Sequence, residues 1–159
     1  PYAAAWLGHD LKREDRIDEA APYYDEATSG NPPTCDFAGE WISATRQHAG
    51  ASRALAVASI VWDRGCASGP GVRGAWAEAH IAAGDIDGAR QILTPRPARC
   101  DATLAVAMVS LALIDGNTAD AKRCAQSSRM PPDIIGPRVQ ALVAALKAST
   151  PVPEPEPRP

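Results

Sequence analysis

Asp15, Gly50, Gly84 and Gly116 stand 35, 34 and 32 residues apart, and each is followed four or five positions later by a small residue, at Ala20, Ala54, Ala89 and Ala121. Each lies between two stretches rich in alanine, the best helix former, and the chain holds 32 alanines with few β-branched residues. A turn that recurs about every 34 residues, with two helices per unit, is the signature of stacked helix hairpins. The spacing therefore predicts an all-α fold, an α-solenoid of about four hairpins, for which 159 residues suffice and beyond which there is no room for a second domain.

Charge and hydropathy narrow the class of protein further. A net charge of -3 provides no cationic excess to neutralise phosphates, so nucleic acid is not an expected partner. No apolar run approaches the roughly 18 to 20 residues that span a bilayer, so no transmembrane segment is expected. The chain opens at Pro1 without a methionine or a leader, as a processed or trimmed product would, and the lack of a signal peptide does not argue for the cytoplasm.

The unit from Trp6 to Pro32 reads WLGHDLKREDRIDEAAPYYDEATSGNP. Leu7 and Gly8 in its first helix, Ala20, Tyr24 and Ala27 in its second, and Pro32 beyond it resemble the tetratricopeptide repeat at six fixed offsets. Asp15 takes the place of the turn glycine and is positioned to cap the second helix, with Asp18 adding charge to the first turn. The third unit keeps Trp76, Gly84 and Ala89, with Asp85 as a helix cap, and Pro95 and Pro97 must end its second helix early. The fourth keeps Gly116 and Ala121, and the second keeps Gly50 and Ala54. The likeness covers about residues 1 to 130. It implies a right-handed solenoid whose first helices line a concave, protein-binding face.

Beyond the repeats, residues Asp133 to Ala148 carry Ile134, Ile135, Val139, Leu142, Val143 and Leu146 on one helical face, as expected of a capping helix over the last hairpin. Residues 1–148 thus form a helical repeat domain. Residues 149–159 form a Pro- and Glu-rich tail suited to extended polyproline II, either docking on a neighbour in a larger assembly or serving as a spacer.

The four cysteines lack a Cys-x-x-Cys pair and lack histidines at zinc-ligand spacing, so no metal is expected. Cys35 precedes Gly50 by 15 residues and Cys66 follows it by 16, which puts both at the open end of one hairpin and favours a disulfide. Cys100 precedes Gly116 by 16 and Cys124 follows it by 8. That pair is less level and needs the linker to fold back. Bridged cysteines imply a periplasmic or extracellular setting; four buried free thiols would place the protein in the cytoplasm.

No serine elbow, glycine-rich phosphate loop or Cys–His pair appears, and the acids of the first hairpin read as a solvated face, so no catalytic residue and no cofactor is expected. The family's peptide-binding positions fall on Tyr2, His9, Lys12, Arg13, Phe37, Glu40, Gln47, His48 and Glu78. The asparagine and lysine set that clamps a terminal carboxylate is missing from them. The tryptophans read mostly as core, with Trp41 or Phe37 as alternative anchors for a partner. The expectation is a non-catalytic scaffold or accessory subunit that binds protein through its concave face or its tail. The alternatives are a periplasmic glycan or small-molecule receptor and a thiol-dependent or hydrolytic enzyme.

Overall fold

The structure, a computed structural model, describes residues 1–95, 97 and 99–149. Among them are nine α-helices and no strand: α1 (Tyr2–Arg13), α2 (Ile17–Ser29), α3 (Ala38–Ala49), α4 (Ala51–Asp63), α5 (Val72–Ala82), α6 (Ile86–Ile92), α7 (Ala105–Ile114), α8 (Thr118–Ser127) and α9 (Pro132–Ser149). The tail expected over 149–159 lies, from Thr150 onward, outside the described residues.

The four recurring turn positions all adopt left-handed backbone, with φ of 63° at Asp15, 84° at Gly50, 83° at Gly84 and 72° at Gly116. Glycine enters this region without steric cost, and aspartate is among the few side chains that tolerate it. The small residue that follows each turn is buried in every case, Ala20, Ala54 and Ala89 at 0% exposure and Ala121 at 5%. Asp15 does not cap α2: Arg16 holds the cap position without a side-chain bond, and the Asp15 carboxylate faces His48 Nε2 at 3.3 Å instead. The left-handed turn commits the Asp15 backbone to the reversal. Asp85 does cap α6, accepting from the Gly88 N–H, and Asn117 caps α8 in the same way.

Helices pack in consecutive pairs, α1 with α2, α3 with α4, α5 with α6 and α7 with α8, while α5 also packs on both α3 and α7. One apolar core lies around Tyr24, Trp41, Ile42, Val61 and Val72; another gathers Ile81, Val106, Leu111, Ile135, Val139 and Leu142. The helix expected as a cap over the last hairpin has a different seat. Helix α9 rests principally across α5 and α7, where Ile135, Val139 and Leu142 find the apolar surfaces of two hairpins at once.

Both cysteine pairs are joined, Cys35 with Cys66 and Cys100 with Cys124, each with Cα atoms 5.2 Å apart. The second pair closes because α6 ends at Ile92, ahead of the prolines, and Cys100 lies in the loop before α7, free to approach α8. No described helix is long and apolar enough to cross a membrane.

Two outcomes follow from this packing. Gly50 combines φ 84° with ψ 174°, a conformation essentially restricted to glycine, so Gly50→Ala is expected to lose about 1–3 kcal/mol in urea unfolding. Replacing Cys35 and Cys66 by serine opens a loop whose ends are 31 residues apart and is expected to cost about 3–4 kcal/mol. A peptide map of non-reduced protein that failed to link these two cysteines would contradict the bridge.

Candidate partner-binding groove

Helix α1 owes its seat to Gly8: a Cβ there would stand 3.0 Å from the Tyr24 ring carbons, and its absence lets the buried ring lie flat against the helix. That packing aims the Tyr24 hydroxyl at α3, where it donates to Glu40 Oε1 at 3.1 Å. Burial, reinforced by the Glu40 carboxylate, pushes the Tyr24 phenol above its ordinary pKa. Glu40 also faces His9 Nδ1 at 3.0 Å and Lys12 Nζ at 3.5 Å, so one carboxylate gathers three groups from the first hairpin.

Beside this cluster the His9 ring stacks on Phe37, with centroids 4.7 Å apart and planes 19° from parallel. Trp6 meets Phe37 edge-on at 5.0 Å, and Tyr2 extends the row by meeting Trp6 at 6.3 Å. Tyr2 and Trp6 are 60% and 45% exposed, so the row offers an apolar ledge to solvent.

The ledge adjoins a groove of about 260 Å³ lined by Lys12, Glu40, Gln47, Glu78 and Arg138, with Ser43 between them. Five helices cooperate here. Helices α1, α3 and α5 supply the walls, α9 supplies Arg138, and Tyr24 of α2 fixes the Glu40 carboxylate from behind. Glu78 sits at the base, 3% exposed, bonded to Arg46 at 2.8 Å and facing Arg138 at 3.7 Å. Burial raises the Glu78 pKa, and the two arginines oppose that rise without overcoming it. Arg46 Nε is buried without a hydrogen-bond partner among the described residues.

His9, Lys12, Phe37, Glu40, Gln47 and Glu78 are therefore brought to one region, with Tyr2 at its outer end. Three placements depart from expectation, Glu78, Arg13 and His48: α9 covers Glu78, and its carboxylate serves the interior ion pair rather than an open surface. Arg13 is exposed and does not line the groove. His48 faces Asp15 and borders a separate hollow beside Trp41 and Ile60. The three histidines do not share a groove, since His80 pairs with Asp85, and no cluster able to hold a metal ion occurs among the described residues.

Of the tryptophans, Trp41 is core, 5% exposed and stacked on Tyr24 at 6.2 Å. Trp6 and Trp62 stand largely at the surface, against the expectation that most are buried. Sequence reasoning missed Ser43, Arg46 and Arg138. Arg46 lies between groove positions, yet nothing local marks it, and Arg138 meets Glu78 only because α9 folds back over α5.

Comparison with known proteins finds no match: no family model, no curated protein and no solved structure is similar to this chain.

The folded protein holds the Glu78 proton more tightly than the unfolded chain does, because the folded pKa lies above the ordinary 4.5. This residue's contribution to stability therefore falls as pH rises from 4.5 through the raised value, and Glu78→Gln is expected to remove that fall. Urea unfolding of both proteins between about pH 4 and pH 8 reads it. A stability difference that stays constant across the range would overturn the assignment.

Proposed function

We propose that this chain is a tetratricopeptide-like α-solenoid and works as a non-catalytic scaffold or accessory subunit, binding protein partners in the groove between its first helices. The observation that carries the reading is the convergence of Lys12, Glu40 and Gln47, from two successive first helices, on one groove beside an aromatic ledge that includes His9 and Phe37. A groove with carboxylate, ammonium and amide groups along its walls and apolar rings at its rim suits a peptide segment. Its polar groups fix register, and the rings take an apolar anchor.

The pairing of α1 to α8 in consecutive hairpins and the four left-handed turns at near-equal spacing support the solenoid. Two joined cysteine pairs support an extracytoplasmic setting, periplasmic or extracellular, since disulfides persist in oxidising compartments. The non-catalytic reading rests on the chemistry of the groove. Its carboxylates are engaged with Tyr24, His9 and Lys12 in one case and with Arg46 and Arg138 in the other, so both act as ion-pair and hydrogen-bond partners within the fold.

A photo-crosslinking residue placed at Gln47 tests the reading against the same residue at Ser59, an exposed position on α4 outside the groove. The expected outcome is partner capture from Gln47, abolished by Lys12→Glu with Phe37→Ala. Equal capture from both positions would refute the groove as the binding face.

A further inference from the structure

A second concavity, of about 740 Å³, shares no lining residue with the groove; its walls come from the end of α4, from α5 and from α6. Its floor is a row of rings. Trp62, 49% exposed, meets Trp76 edge-on with centroids 5.2 Å apart, and Trp76 stacks on His80 at 6.2 Å and 21°. The row ends at Asp85, whose carboxylate faces His80 Nδ1 at 2.8 Å and accepts from the Gly88 N–H. Arg73 lies on the wall, its guanidinium donating to the carbonyl oxygens of Ile92 and Pro95 and meeting no carboxylate among the described residues. The hollow thus joins the exposed Trp62 and the half-buried Trp76 to a cation without an anionic partner among the described residues.

Its position in the chain identifies what fits it. Helix α9 ends at Ser149, whose Oγ stands 3.4 Å from where a Cβ on Gly84 would lie, and Gly84 directly precedes Asp85 on the pocket rim. The next residues read TPVPEPEPRP. We propose that the pocket is a polyproline II site and that its occupant is this chain's own segment 151–157.

Reach, shape and charge agree. The wall from Asp85 to Thr94 measures about 14 Å at helical rise, whereas seven residues of polyproline II cover about 22 Å. Proline stands at every second position of the segment, and polyproline II has three residues per turn, so in that conformation whichever ridge faced the indoles would carry a pyrrolidine ring. Glu154 and Glu156 supply the negative charge that Arg73 lacks. A proline-rich sequence favours polyproline II, and attachment beside the site limits the ordering entropy that opposes docking.

The indole N–H signals of the full chain, assigned by single Trp→Phe replacements, test this against a chain ending at Ser149. Of the four tryptophans, Trp62 and Trp76 are expected to shift between the two proteins, while Trp6 and Trp41 stay in place. The free peptide PVPEPEPRP, added in excess to the shorter chain, is expected to move the same two signals toward their full-chain positions, and Trp62→Ala is expected to abolish that response. The full-length Pro153→Ala/Pro155→Ala variant, unchanged in length, is expected to reproduce the truncated spectrum in part. Superimposable Trp62 and Trp76 signals with and without the tail overturn the proposal. A difference that vanishes on dilution also overturns it, because the occupant is then the tail of a second copy.

Discussion

A Cβ built on Gly39 would stand 2.5 Å from the backbone carbon of Gly71, and one built on Gly74 would overlap the carbonyl oxygen of Thr103. The backbone of α3 therefore touches the start of α5, and that of α5 touches the loop before α7. This close stacking is what the rest of the molecule depends on. Small residues at the crossings bring neighbouring helices near enough for their polar side chains to meet in a shared groove. Each such contact buries little apolar area, since alanine and glycine have almost none to bury.

Both disulfides make sense in that light. Alanine dominates the core, while the largest fully buried side chains are few: Tyr24, Ile42, Ile81 and Leu142 lead them. A core so poor in bulk gains modestly per residue, and two covalent links that close loops across hairpin ends add stability by restricting the unfolded chain. Helix α9 serves a related need. By lying across α5 and α7 it contributes Leu142, Ile135 and Val139 where alanine-lined helices leave apolar surface uncovered, and the same placement brings Arg138 to Glu78.

The polar interior is organised around two glutamates on successive first helices. Glu40, partly exposed, is held by Tyr24, His9 and Lys12 and remains open to the groove. Glu78, sealed beneath α9, keeps Arg46 in register, and burial of such a pair fixes the relative placement of α3, α5 and α9 more than it adds stability. The difference between the two residues is one of cover, not of chemistry.

The sequence by itself determined the helical class, the positions of the turns and the level placement of Cys35 and Cys66. Each is a local matter or one of chain length: glycine or aspartate admits the left-handed backbone at four spaced points, alanine favours helix between them, and equal distance from a turn brings Cys35 and Cys66 level. That Lys12, Glu40 and Gln47 share one side of successive first helices was legible for the same reason, as residues at repeating offsets. Only the tertiary structure decided that Glu78 is sealed while Glu40 is open, that His48 turns away to Asp15, that Trp62 and Trp76 floor a second hollow, and that α9 lies across α5 and α7. The cover over Glu78 depends on where a helix some 60 residues away comes to rest, and the other placements on how neighbouring hairpins stack; an apolar stripe on a helix states that it must be covered without stating by what.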